Sequence, residues 1–517
     1  MFLLFFPANT LCGRDNDGTL VSNSSLCDLT LVQATEMLRK REISSVELTE
    51  AFIRKIEANR WVNAFITESF DFAMVQAKRS DELLSGSASS VKSANQFSTS
   101  PRRLEGAPLG IKDLYCTKGI RTTAGSKILE NFVPQYESTV TQNLLNEGAV
   151  FLGKLNMDEF AMGSANITSY YGNVINPLRS SNFPDKNLVP GGSSGGSSAS
   201  VAAHMVLAAT ASDTGGSIRQ PASLTGTVGI KPTYGLCSRY GMVALASSLD
   251  QAGPIARNVR DAALMLSVMA SFDAKDSTSI PRIETDYLAN LCPGNIKGLK
   301  IGLPREFFEN LPDELSKVLA KNVETLKALG AELVDISLKN IKYSLAVYYV
   351  IQPAEASSNL ARYDGVRYGV RAENIHNLTE MYQATRRNGF GAEARRRIFI
   401  GTFVLSKGGY DSYYVRAKKV QRRIQEDFCE AFKQVDVIFS PTTMGPAFGF
   451  DDIESMSTID MYMNDIFTVP LNLAGLPGIS VKGGTLSDGL PIGVQFIGPR
   501  LSEQRLFDVA CALEDAN

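Results

Sequence analysis

Apolar residues recur at four-residue spacing in Leu48, Phe52 and Ile56, directly after Ser44-x-x-Glu47. That pattern predicts a capping box opening a helix, because the Ser and Glu side chains each satisfy an exposed backbone amide. Leu315, Leu319, Val323 and Leu326 form a second helical stripe, and Gly330 closes it as a C-terminal cap. Short β-like runs lie at 149–152, 299–303, 331–336, 435–439 and 492–497. Helical stripes alternating with such runs predict an α/β fold, a layered sheet covered by helices on both faces. No repeat occurs at solenoid or propeller periods.

Three stretches break this rhythm. Leu84 to Ser100 is dense in serine and lacks a hydrophobic period, which predicts a surface loop. Residues 107–113, Ala-Pro-Leu-Gly-Ile-Lys-Asp, are apolar around a single lysine. Residues from about 340 to 430 lean helical, are rich in Tyr and Arg, and carry Arg395-Arg396-Arg397, Lys418-Lys419 and Arg422-Arg423. They predict a helical lobe. A solvated helix face and a contact with a nucleic acid or acidic partner both fit its charges.

Composition narrows the chemistry. Lys+Arg is 52 and Asp+Glu 54, so global charge gives no argument for nucleic-acid or membrane-surface binding. The chain has two histidines, His204 and His376, so a histidine-based triad or a multi-histidine metal site has almost no material. The seven cysteines are widely spaced with no C-x-x-C pair, which predicts free thiols in a reducing compartment. No run approaches the roughly 18 apolar residues of a membrane helix. Residues 1–6 resemble a signal core but are short and lack a preceding basic region, and an Arg-rich transit peptide is not evident around the lone Arg14.

Two Gly-Ser segments hold the candidate chemistry. The first is Pro190-Gly-Gly-Ser-Ser-Gly-Gly-Ser-Ser198; the second is Ser212-Asp-Thr-Gly-Gly-Ser-Ile-Arg-Gln-Pro221. Between them Ala199 to Ala211 reads as a helix running into a strand. A linker, a phosphate cradle and a backbone-lined catalytic wall all compete for the first segment. The lysine of a phosphate loop is absent, and glycines would let amides approach a small substrate. A serine nucleophile needs a base. With histidine scarce, lysine is the next candidate, and Lys112 sits in the apolar run. Free lysine titrates near ~10.4, and burial beside neutral hydroxyls can lower that by ~3 units, at a cost of roughly 4 kcal/mol. A lysine snorkelling from a strand end is the competing reading.

Gly191-Gly-Ser-Ser-Gly-Gly196, Asp213-Thr-Gly-Gly-Ser-Ile-Arg-Gln-Pro221 and Gly110-Ile-Lys-Asp113, with Ser193 and Ser217 24 residues apart, resemble the amidase signature family. The likeness runs from about Leu29 to near the C-terminus. It implies the amidase signature fold, a large mixed central β-sheet with helices on both faces, as one domain over 29–517. Residues 1–28 would then be a poorly ordered extension, and the Ser-rich loop near 85–104 an insertion. The resemblance implies Ser217 as nucleophile, Ser193 as bridge after a cis peptide, and Lys112 as base. The amides of Thr214, Gly215, Gly216 and Ser217 would form the oxyanion hole.

Within the family, residues 42–48, 276–279, 355–360, 396–398, 401–403 and 464–468 look most like the glutamine-hydrolysing subunits of tRNA-dependent amidotransferases. That likeness implies Arg397 (or Arg396) for the glutamine carboxylate and Asp465 for its amine. A pocket tyrosine would be Tyr349 or Tyr348. Ammonia would pass to the partner B and C subunits of the amidotransferase, which convert mischarged Glu-tRNA(Gln); ATP and Mg²⁺ would bind a partner, and this chain would hold no metal or cofactor. Bacterial cytoplasm is the expected location, with a mitochondrial or plastid matrix as the alternative. A stand-alone amidase with another substrate, and a non-catalytic tRNA-binding protein, are the rival functions.

Overall fold

The computed structural model of the protein describes residues 26–86, 102–281 and 285–517. The expected extension at 1–28 and the Ser-rich loop near 85–104 lie mostly outside them. Leu26 and Cys27 are already buried, and the Arg257 guanidinium donates to the Cys27 carbonyl at 2.8 Å. The six cysteines of the described residues are free thiols. Among these residues no helix is long and apolar enough to cross a membrane.

Eleven strands form one sheet: β1 (Phe65–Glu68), β2 (Pro108–Lys112), β3 (Val150–Leu155), β4 (Ala208–Asp213), β5 (Val228–Lys231), β6 (Gln251–Ala256), β7 (Lys300–Pro304), β8 (Glu332–Ile336), β9 (Val437–Pro441), β10 (Gly478–Thr485) and β11 (Pro491–Ile497). Their order is β1-β3-β2-β4-β6-β5-β10-β11-β9-β7-β8. The sheet is mixed: β2 runs parallel to β3 and β4, and β7 parallel to β8 and β9, while the remaining pairs are antiparallel. Every residue of β2, β3, β4, β5, β6, β9 and β11 is buried. Alternate residues point to opposite faces, so both faces are covered, as the alternation of elements predicts. The edge strands β1 and β8 are partly exposed.

The sequence signals form as read. Ser44 Oγ accepts from the Glu47 amide at 3.1 Å, and Glu47 accepts from the Ser44 amide at 3.0 Å. Leu48, Phe52 and Ile56 of the helix Ser45–Ala58 are buried. Gly330, at φ +95°, turns the chain after the helix Asp313–Ala328. Strands β5, β6 and β10 had no clean apolar run; they carry Gly, Pro, Gln, Ser and Lys, and their burial comes from sheet neighbours.

The segment from 340 to 430 is helical, with helices Ser344–Asn359, Leu378–Gly389, Ala392–Val404 and Arg416–Ala431. Its basic runs are mostly exposed; Arg422 and Arg423 both pair with Glu426, which fits the solvated-face reading. Arg397 is the exception and points inward, 4% exposed.

Candidate active site

The site begins where two neighbouring parallel strands end. β2 finishes at Lys112 and β4 at Asp213, with Gly110 opposite Ala209. The carboxyl ends of adjacent parallel strands are a natural place for a cleft. The helix Gly195–Ala202 packs beside β4 and carries the first Gly-Ser segment at its start. Helix and strand occur where the stretch 199–211 predicts them.

Lys112 is fully buried. Its Nζ lies 2.9 Å from Ser193 Oγ, 2.8 Å from Ser194 Oγ and 2.9 Å from Ser212 Oγ. None of these partners is a carboxylate. Burial pushes the ammonium down to about 7, against the weaker upward pull of Asp158, Asp213 and Asp250. Those three carboxyls are engaged elsewhere. Asp213 forms a two-point pair with Arg219 at 3.0 Å and 3.0 Å and accepts from Asn472 Nδ2 at 2.8 Å. Asp250 accepts from the amides of Leu245 and Ala246 and from Thr214 Oγ1. Asp158 accepts from the amides of Asn166, Ile167 and Thr168. Lys112 therefore carries a nitrogen lone pair in much of its population near neutral pH, which is what a base needs.

Ser193 is fully buried and follows a cis peptide from Gly192. Gln220 holds this turn: its Oε1 accepts from the Gly192 amide at 2.9 Å and its Nε2 donates to the Ser164 carbonyl at 2.9 Å. Ser217 keeps 8% exposure and so can meet a substrate. The Asp213–Arg219 pair brackets the loop that carries it, and Arg219 also donates to the Thr468 carbonyl and to Asn472 Oδ1. Gly216 has φ +145°, a conformation that glycine alone adopts freely. The amides of Thr214, Gly215, Gly216 and Ser217 have no hydrogen-bond partner among the described residues. Unpaired amides in a buried loop are costly. A cluster of four is an anion-binding concavity, suited to the oxyanion of acyl transfer.

The far wall comes from other segments. The helix Ala392–Val404 crosses the helix Ser344–Asn359 at Gly401, where a Cβ would fall 1.9 Å from the Pro353 carbonyl. One turn back from Gly401, Arg397 meets Gln352, next to Pro353, and Tyr349, a turn before it. Arg397 Nε donates to Glu393 at 2.8 Å and Nη1 to Gln352 Oε1 at 2.8 Å, leaving Nη2 without a hydrogen-bond partner among the described residues. The guanidinium lies 5.4 Å and 5.8 Å from the ring centres of Tyr349 and Tyr462, which stack on each other at 3.7 Å. Arg396 points outward, half exposed, and pairs with Glu393.

Tyr349 thus backs Arg397, whereas Tyr348 reaches the loop that carries Ser217: a Cβ on Gly215 would sit 2.8 Å from its hydroxyl. Asp465 Oδ1 lies 3.3 Å from the position of a Cβ on Gly216, and Thr468 Oγ1 donates to the Gly215 carbonyl at 2.7 Å. The Asp465 carboxylate accepts no hydrogen bond among the described residues. Burial pushes it up to about 8, with Arg397 opposing and Asp213 adding to the rise. A bound cation would restore its charged form.

The structure therefore gathers Lys112, Ser193, Ser217, the 214–217 amides, Arg397, Asp465 and Tyr348 around one loop. Both histidines stand apart. His204 pairs with Asp28, and the His376 amide donates to Glu380. Sequence reading missed Ser194 and Ser212 as partners of Lys112, and Gln220 and Thr468 as braces. All four lie within or beside the quoted motif segments, but position in a motif does not say which partner a side chain meets.

A family model described as Amidase matches residues 47–507, and the chain belongs to the amidase family. It resembles one branch in particular. The A subunit of the glutamyl-tRNA(Gln) amidotransferase of Parvibaculum lavamentivorans is 54% identical over 494 residues, covering 95% of this chain and 97% of that protein. The crystal structure of the A subunit of the Thermotoga maritima glutamyl-tRNA(Gln) amidotransferase aligns with TM-score 0.74 and 39% identity over 95% of both chains. A peptide amidase from Stenotrophomonas maltophilia aligns with TM-score 0.77 and 30% identity, covering 94% of this chain and 96% of that one.

Proposed function

We propose that this chain is the A subunit, the glutamine-hydrolysing component, of a glutamyl-tRNA(Gln) amidotransferase. Likeness to A subunits over nearly the whole chain supports the reading. The observation that carries it is the buried Lys112 amine, bonded to three hydroxyls and to no carboxylate.

The chemistry follows from that amine. Neutral Lys112 accepts the Ser193 hydroxyl proton while Ser193 accepts that of Ser217. The Ser217 oxygen bonds to the side-chain amide carbon of glutamine. The carbonyl oxygen becomes an oxyanion, and the free amides of 214–217 stabilise it; losing one such donor typically costs 10²–10³ in rate. The proton returns through Ser193 to the amide nitrogen, the carbon–nitrogen bond breaks, and ammonia leaves. Water, deprotonated along the same path, cleaves the glutamyl ester and restores Ser217. Arg397 holds the substrate α-carboxylate, Asp465 its ammonium, and Tyr348 closes the wall.

Ammonia would then pass to the partner B and C subunits, which would hold ATP and Mg²⁺ and amidate glutamate on mischarged Glu-tRNA(Gln). The compartment is a reducing one, bacterial cytoplasm or an organelle matrix. Ser217→Ala tests the reading. It should abolish ammonia release from glutamine yet leave amidation supported by added ammonium salts when the partners are present. Full glutaminase activity in that variant would overturn it.

A further inference from the structure

Asp158 and Glu159 are consecutive buried carboxyls that face two different parts of the site. Asp158 belongs to the catalytic half: its amide donates to the Ser193 carbonyl at 3.2 Å, and its carboxylate gathers the amides of 166–168. Glu159, 2% exposed, turns the other way. Its carboxylate accepts from Ser126 Oγ at 2.5 Å and from the Gly391 amide at 2.9 Å and 3.1 Å. Gly391 is the residue that opens the helix Ala392–Val404. The approach is so close that a Cβ on Gly391 would fall 2.5 Å from Glu159 Oε2. A carboxylate at a helix start is favoured by the free amides and dipole there. Among the described residues no lysine or arginine forms an ion pair with Glu159.

That helix carries Arg397. Its remaining polar contacts run within the helix, to Gln352 of the helical lobe and, through Arg396, to Tyr462; among the described residues none of them reaches the loop 213–217. Among the described residues, the hydrogen bonds joining its start to the catalytic half are those of Glu159, together with Ser126, which also donates to the Gly389 carbonyl at 3.3 Å. A helix moves as a rod, so its start sets where Arg397 stands relative to Ser217. A shift of about 1 Å in a substrate clamp can cost about 10²-fold in rate.

We propose that Glu159 is a positioning residue for substrate choice: it pins the start of the Arg397 helix to the peptide that braces Ser193. The proposal rests on the reading that Arg397 takes the glutamine α-carboxylate. Glu159 should therefore govern the preference for glutamine over an amide without that group.

The test measures kcat/KM for glutamine and for butyramide with the full chain in complex with its partners, and compares their ratio. Glu159→Ala should lower the glutamine-to-butyramide ratio about tenfold, chiefly through KM for glutamine. Glu159→Gln keeps an acceptor for the Gly391 amide and should recover most of that loss. Glu159→Asp, a milder change should the alanine variant fail to fold, should give an intermediate ratio. Arg397→Ala should collapse the ratio in the same direction; if it does not, the reading of Arg397 fails, and the proposal with it. If Arg397→Ala collapses the ratio while the Glu159 variants leave it unchanged, or slow both substrates equally, the Glu159 proposal alone is overturned.

Discussion

Lys112 and Lys154 sit on paired strands, β2 and β3, and are buried to 0% and 1% exposure. Burial pushes both amines downward. Their partners separate them. Lys154 has the Asp113 carboxylate at 3.4 Å, with the Tyr115 carbonyl and Thr122 Oγ1 both at 2.7 Å. Lys112 has hydroxyls alone. A carboxylate partner pulls Lys154 back toward its charged form; hydroxyls do so weakly, which leaves Lys112 the freer of the two to accept a proton. Lys231 sharpens the point. It too is buried and pushed down to about 7, yet its Nζ donates to the Pro232 carbonyl, which has no proton to relay. Burial favours the neutral amine, and at Lys112 three neighbouring hydroxyls supply protons to relay.

The two lysines should fail differently. Lys112→Ala should lower kcat for glutamine on the order of 10³–10⁴-fold, the upper range of general-base contributions, with little loss of thermal stability. Equal loss in Lys154→Met, at full folding, would erase the distinction. Instead Lys154→Met should destabilise by about 3–5 kcal/mol in denaturant unfolding, because it leaves Asp113 buried and unpaired. Adding Asp113→Asn should recover part of that loss.

Smaller effects probe the substrate wall. Asp465→Ala should cost glutamine about 10²-fold in kcat/KM, the order for removing one partner of a buried charge pair, while butyramide loses far less. Equal retention of both substrates would favour a stand-alone amidase. The pH profile follows from Lys112. Its neutral fraction falls tenfold per unit below about 7 and saturates above it, so kcat/KM for glutamine should be about tenfold lower at pH 6 than on the plateau. An acidic limb placed near 4 would point to a carboxylate base. Arg396→Ala, on the exposed side of its helix, should change kcat/KM by less than about twofold, against a large loss for Arg397→Ala.

The two Gly-Ser segments of the candidate site were legible in the sequence because each is local. Glycine, serine and aspartate in two short segments specify turns, unpaired amides and a bracketing ion pair with little help from elsewhere. The helices at 45–58 and 313–328 and the strands β3, β7, β8, β9 and β11 were legible for the same reason. Strands β5, β6 and β10 were not, since their small and polar residues become strand through their sheet neighbours. Tyr348 and Tyr349, adjacent in sequence, differ by about 100° of helical rotation. Only the crossing at Gly401 and Pro353 turns one to the loop and the other to Arg397.

The sequence by itself determined the family and which residues are equipped for acyl transfer. It did so because hydroxyls, glycine amides and a lysine at fixed spacing have few other uses together. The tertiary structure decided which arginine and which tyrosine face the site, and why one buried lysine has only hydroxyls around its amine while its neighbour has a carboxylate. Those outcomes depend on segments up to hundreds of residues apart, and the free energy of a charge is set by whatever the fold places within a few ångströms of it.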